Sequence, residues 1–148
     1  WKYLLKKFLN NDDFIIILKP HPHENISEYQ RILKESLSKN AFIIQDNLHE
    51  LISISDVIVS NHSTVILDAL AMKKPTLELE WTDIDENFHQ YTPLVESVKI
   101  ENLKDKICSV LQNYNYDEKS WSQSMNNFFN IPFDELYLKK IIKNIGFS

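Results

Sequence analysis

Glycine is almost absent from this chain: Gly146 is the only one in 148 residues. A P-loop or a dinucleotide fingerprint needs several glycines for its tight turn and close backbone approach, so neither is present. Cysteine is equally scarce. Cys108 is alone, which excludes a disulfide framework, and its apolar helical surroundings mark it as a small buried hydrophobe. A reducing compartment fits that usage. No apolar run approaches the ~20 residues of a membrane span. Positive charge is not in excess either: the formal net charge is -5, with no dense Lys/Arg patch, which argues against nucleic acid as a partner. Metal binding is not expected. His21-Pro22-His23 has the wrong spacing for one helical face, and neither a Cys pair nor HExxH occurs.

What is present is ordinary for a globular domain with a core, 43% hydrophobic and 25% charged. The apolar spacing at Trp1, Leu4, Leu5, Phe8 and Leu9 predicts a helix over 1–10. Phe14-Ile15-Ile16-Ile17-Leu18 is a β-branched run suited to a strand buried on both faces. Further strands are predicted at 41–44, 57–59, 76–79 and, at an edge, 95–98. Asn25 with Glu28, Asn47 with Glu50 and Asn102 with Asp105 mark helix starts, the first two as caps. Helices are also expected over 63–72, 116–129 and 134–145. Strand and helix thus alternate through short connections, the pattern of βαβ units. The expected fold is α/β: a Rossmann-like three-layer domain with a mostly parallel sheet of four to five strands and C-terminal helices. One domain, 1–148, is expected. The chain starts with Trp rather than Met, so it is expected to be a fragment.

In such a sheet ligands sit beyond the carboxyl ends of the strands. Two polar clusters fall there. Lys19-Pro20-His21-Pro22-His23 follows the first strand, and Ser60-Asn61-His62-Ser63-Thr64 follows the third, with three hydroxyls, an amide and an imidazole. The helices near Asn25, Asn47, Asn102, Asp117 and Asp134 carry an acidic residue at their starts. The helix after Ser63 has none before Asp68, more than a turn inside, so it reads as an open positive end suited to an anion. The plainer reading is that Ser63 caps it and the end is solvated. His21, held between two prolines, could donate to a diphosphate and stabilise charge on a leaving group, or could cap a neighbouring carbonyl. His23 and Glu24 read as solvated. His62 could face a ligand or fill the corner. Asp68 could reach a ribose hydroxyl or simply belong to a polar helix face. Trp81, His89 and Tyr91 lie in the loop after the fourth strand, which could close over a ligand or pack locally.

Lys19-Pro20-His21-Pro22, then residues 56–64, then Asp68-Ala69-Leu70-Ala71-Met72-Lys73-Lys74-Pro75, resembles the C-terminal half of GT-B-fold glycosyltransferases. By pattern the relatives are bacterial surface-polysaccharide enzymes: CDP-glycerol glycerophosphotransferases, capsule polysaccharide transferases and UDP-N-acetylglucosamine 2-epimerases. The resemblance covers residues 14–80 well and the flanking helices loosely. It implies a domain that binds a CDP- or UDP-linked donor, with no separate cofactor. His21 would contact the diphosphate, Ser60, Asn61, His62, Ser63 and Thr64 would hold the phosphates, and Asp68 would approach the ribose. Many relatives have Glu where Asp68 stands and Gly within the turn at Lys73-Lys74. The resemblance also implies an acceptor domain N-terminal to this chain, so the parent protein is expected to be the enzyme and this piece alone to be inactive. A cytoplasmic setting is implied, with membrane contact only through the parent or a lipid-linked acceptor. Two alternatives share the fold: a 2-epimerase domain, and a non-catalytic flavodoxin-like module. A receiver would need an Asp at the strand end, where Ser60-Asn61-His62 stands.

Overall fold

The computed structural model describes residue 8 and residues 13–36, 39–61, 63–80, 88–90 and 92–129. The expected helices over 1–10 (apart from Phe8) and 134–145 lie outside these residues. The chain divides into two compact units, Trp1–Ile54 and Ser55–Ser148.

The first unit runs β1 (Ile16–Leu18), α1 (Ile26–Ser36), β2 (Ala41–Ile43), α2 (Leu48–Ile54). β1 and β2 pair in parallel, Ile17 opposite Phe42. Asn40 ties the ladder to the loop before β1, its amide donating to the Phe14 carbonyl at 2.9 Å. Both asparagine caps form: Asn25 Oδ1 accepts the Ser27 N–H at 3.1 Å, and Asn47 Oδ1 accepts the His49 N–H at 3.0 Å. Tyr29, Ile32 and Leu33 of α1 form the helical stripe that meets Leu18 and Ala41. Burial of β1 on both faces does not hold among the described residues. Ile15 and Phe42 share the other face with Ile17, and they are 78% and 49% exposed. Among the described residues, the stripe of α1 covers the face that carries Leu18 and Ala41, and the face of Ile15 and Phe42 stays open.

The second unit contains β3 (Ile58–Ser60), α3 (Val65–Ala71), β4 (Thr76–Leu79), β5 (Val95–Val98), α4 (Leu103–Asn113) and α5 (Glu118–Phe129), with 3₁₀ turns at Phe88–Gln90 and Ile100–Asn102. The ladder order is β3-β4-β5, every pair parallel, with β5 at an edge as expected. The fold is therefore α/β and parallel. Its five described strands form a two-stranded and a three-stranded ladder rather than one of four or five. Register sets the faces. Ser60, Glu78 and Ser97 are partners across the three strands and point the same way, with Thr76 and Val95 below them. On that face Ile66 and Leu70 of α3 meet Val95 and Trp121 and Met125 of α5, with Phe88 packed alongside. Lys106 of α4 pairs with Glu96, which alternates to the opposite face, so helices cover both sides. β4, at the centre, is buried at all four positions.

α3 ends in a left-handed residue that is not glycine. Lys73 has φ 58°. Its N–H bonds the Leu70 carbonyl and the Lys74 N–H bonds the Ala69 carbonyl, each at 2.9 Å, the two bonds of a Schellman end. The strain of this backbone is about 1–2 kcal/mol for a residue with a Cβ. The side chain offsets it: Nζ lies 4.7 Å from the Tyr116 ring centre, 4.6 Å from that of Trp121 and 3.1 Å from Glu118 Oε2. Each cation–π contact contributes about 0.5–1 kcal/mol. Lys73→Gly is therefore expected to leave the urea midpoint nearly unchanged, whereas Lys73→Ala keeps the strain, loses the contacts and lowers it. A glycine variant less stable than the alanine variant would refute this balance.

Candidate functional site

In the first unit, the loop after β1 is organised by Glu24. Its Oε2 accepts the His21 N–H at 2.6 Å, and its Oε1 accepts the Tyr29 hydroxyl at 2.6 Å. The carboxylate thus ties the proline–histidine loop to α1. It is a structural clasp and not the solvated residue expected. Burial, and then this carboxylate, push the Tyr29 pKa up, so the phenol stays a donor. Pro20 is buried and His21 exposed. The His23 N–H donates to His21 Nδ1 at 3.3 Å, and the two rings lie 5.2 Å apart at 38°. A ring nitrogen that accepts carries no proton, so the neutral His21 ring holds its proton on Nε2 and presents it outward as a donor. The alternative of His21 capping a carbonyl is not what the ring's Nδ1 does.

In the second unit, the polar corner differs from expectation in two respects. Ser60 is the last residue of β3, 8% exposed, and not part of the turn. The following helix begins at Val65, later than the Ser63 start expected, so Asp68 falls within its first turn. The open positive end read from the spacing is therefore already faced by an acid, as at the other helices. The reason is local: Ser63 and Thr64 accept the first backbone bonds, from Ile66 and Leu67, at 2.9 Å each, and stand before the helix. Ser63 Oγ accepts the Val65 N–H at 3.4 Å, a long bond, while the Thr64 hydroxyl makes no cap bond. Asn61 Oδ1 is buried with no hydrogen-bond partner among the described residues. His62 lies outside the described residues, as do Trp81 and Tyr91.

Asn102 likewise occupies a cap position but makes no side-chain cap bond, because the Ile100–Asn102 turn already leads into α4.

The residue that sequence reasoning passed over is Glu78. It lies at the centre of the central strand with no exposed surface. Its Oε1 accepts the Phe88 N–H at 3.1 Å, and its Oε2 accepts both the His89 N–H and His89 Nδ1 at 3.0 Å. A buried carboxylate is tolerated only when hydrogen-bonded in this way. The available signal was an acid inside an otherwise apolar parallel strand. Nearby, on the same carboxyl edge, a groove of about 530 Å³ opens along Glu80, Ser97, Lys99, Asn102, Asp105 and Lys106. Ser97 Oγ donates there to Glu80 Oε1 at 2.6 Å.

Within each unit, polar side chains thus gather past the carboxyl ends of parallel strands, where this architecture binds ligands. Among the described residues, no group of three or more His, Cys, Asp or Glu could hold a metal ion, and no helix is long and apolar enough to cross a membrane. Comparison with curated proteins and with solved structures returned no match. Comparison with family models did: residues 3–129, both polar clusters included, match the CDP-glycerol:poly(glycerophosphate) glycerophosphotransferase model, and the chain belongs to that family.

Proposed function

We propose that this chain binds the nucleotide donor of a glycerophosphotransferase that builds a cell-surface polymer, as the donor-side half of a GT-B-type parent. The donor is CDP-glycerol or a close analogue. An acceptor hydroxyl attacks the phosphorus that carries the glycerol, the P–O–P bond breaks, CMP leaves with the electron pair, and the hydroxyl proton passes to solvent. Charge then grows on the leaving phosphate. His21, donating from Nε2, is suited to that oxygen, and hydrogen bonds to charged partners contribute about 1.5–3 kcal/mol each. In the second unit, Ser60, Asn61, His62, Ser63, Thr64 and Asp68 offer groups suited to phosphate and ribose. The observation that carries this reading is the His21 ring, whose Nδ1 is already taken by a backbone donor so that the outward nitrogen must donate. Family membership supports the identity of the donor.

Titration with CDP, UDP and CDP-glycerol, followed by backbone amide shifts, tests the reading. The expected result is displacement at His21 and across Ser60–Thr64, larger for CDP-glycerol than for UDP. If no nucleotide moves either cluster, donor binding by this chain is refuted.

A further inference from the structure

The contacts of His21 and His89 favour opposite neutral tautomers. His21 Nδ1 accepts, so its Nε2 donates. His89 Nδ1 faces the Glu78 carboxylate at 3.0 Å and must donate to it, so the neutral His89 ring presents an unprotonated Nε2 that can only accept. A phosphate oxygen offers no donor to such a nitrogen. A hydroxyl does.

The ring is also held unusually firmly for a loop residue. Two consecutive backbone N–H groups, those of Phe88 and His89, and the ring nitrogen all converge on one carboxylate that has no exposed surface. The backbone bonds alone would pin the turn to β4; the third contact adds nothing to that and fixes the ring. His89 stays partly open to solvent, its side chain 28% exposed, and no hydrogen bond reaches Nε2 among the described residues. The pair stands at the level of Ser60, because Ser60 and Glu78 are register partners on adjacent parallel strands. The next residue, Asn61, holds a second buried acceptor, Oδ1, with no donor among the described residues. A fixed acceptor that is partly open to solvent suits a ligand that brings a hydroxyl proton.

We propose that the Glu78–His89 pair is a hydroxyl-recognising subsite in which His89 Nε2 accepts a hydrogen bond from a glycerol hydroxyl, making His89 a specificity-determining residue. Glu78 acts through it as a positioning residue. The proposal rests on the donor-binding reading above but goes beyond it, since that reading concerns phosphates and this one the polyol. The glycerol can belong to the donor or to the end of the growing polymer, and both present the same chemistry.

The test is a long-range nitrogen–proton spectrum of the histidine rings of the full chain, alone and with CDP, CDP-glycerol or glycerol 3-phosphate. The expected result is an Nδ1–H tautomer for His89, with Nε2 displaced by CDP-glycerol but not by CDP. Displacement by glycerol 3-phosphate alone assigns the subsite to the polymer end; displacement only by CDP-glycerol assigns it to the donor. An Nε2–H tautomer, or an Nε2 signal that no glycerol compound moves, overturns the proposal. Failure of donor binding reads differently: no nucleotide moves Ser60–Thr64, while the response to glycerol 3-phosphate still decides the subsite. His89→Asn separates recognition from mere stapling. Its amide nitrogen can replace Nδ1 against Glu78, yet nothing replaces Nε2. Thermal stability should hold while affinity for the glycerol compound that moves Nε2 falls about tenfold (~1.4 kcal/mol, one hydrogen bond) and affinity for CDP does not. Unchanged affinity for that compound in a folded variant overturns the proposal as well.

Discussion

Glu78→Ala is expected to destabilise the second unit by about 3–5 kcal/mol, because several donors lose their acceptor at about 1–3 kcal/mol for each that stays buried. The substitution strips the acceptors from two backbone N–H groups and an imidazole, and it leaves a cavity beside Phe88. A buried donor without a partner costs about 1–3 kcal/mol, and the turn at Phe88–Gln90 would lose what ties it to β4. Because total stability is typically about 5–15 kcal/mol, a large unfolded fraction is expected at mild urea. Glu78→Gln should lose about half as much, since its carbonyl still accepts while its amide opposes a backbone N–H. Urea midpoints at unchanged slope give both numbers. A loss below about 1 kcal/mol for alanine would show that water replaces the carboxylate, and that the site is more open than its burial indicates.

Trp121→Ala should cost about 3–5 kcal/mol, in the class of large aromatic truncations. Trp121 is 2% exposed and joins α5 to α3 in three ways. Its ring packs with Ile66, Leu70, Val95 and Met125. Its Nε1–H donates at 2.7 Å to the Leu70 carbonyl in the last turn of α3, the same oxygen that accepts the Lys73 N–H. Its face receives the Lys73 ammonium. Trp121→Phe keeps part of the packing and loses the indole hydrogen bond, so about 1–2 kcal/mol is expected. The urea midpoint again measures both. A phenylalanine variant as unstable as the alanine one would mean that the hydrogen bond, and not the packed area, holds α5 in place. Tyr116, 6.4 Å from Trp121 between ring centres, stays neutral through the physiological range because burial pushes its pKa up to about 12.

Much of the fold was legible in short-range pattern. The run Thr76–Leu79 is a strand over its full predicted length, and Asn25 and Asn47 cap the helices they were read to cap. These features depend on neighbours within a few residues: an amide that meets its own helix, or a β-branched run that fits a covered sheet. The start of α3 escapes the sequence pattern for the same reason in reverse. Ser63 and Thr64 compete for the backbone bonds of one turn, and a shift of two residues moved Asp68 from inside the helix to its first turn. The exposure of Ile15 and Phe42 was likewise hidden, because an apolar run states what can be buried and not what covers it.

The candidate site divides along the same line. From its residues alone the chain declared two polar clusters at strand ends, the absence of a glycine-rich cradle, and the histidine between prolines. It did not declare which nitrogen of that histidine donates, because the answer lies in a contact with the backbone of His23. Nor did it pair Glu78 with His89, eleven positions apart, where a strand passes beneath a turn. Sequence determines local conformation through steric and hydrogen-bonding preferences of near neighbours. Proton placement and the partners of a buried carboxylate depend on which distant groups the chain brings within about 3 Å, and only the tertiary structure decides that.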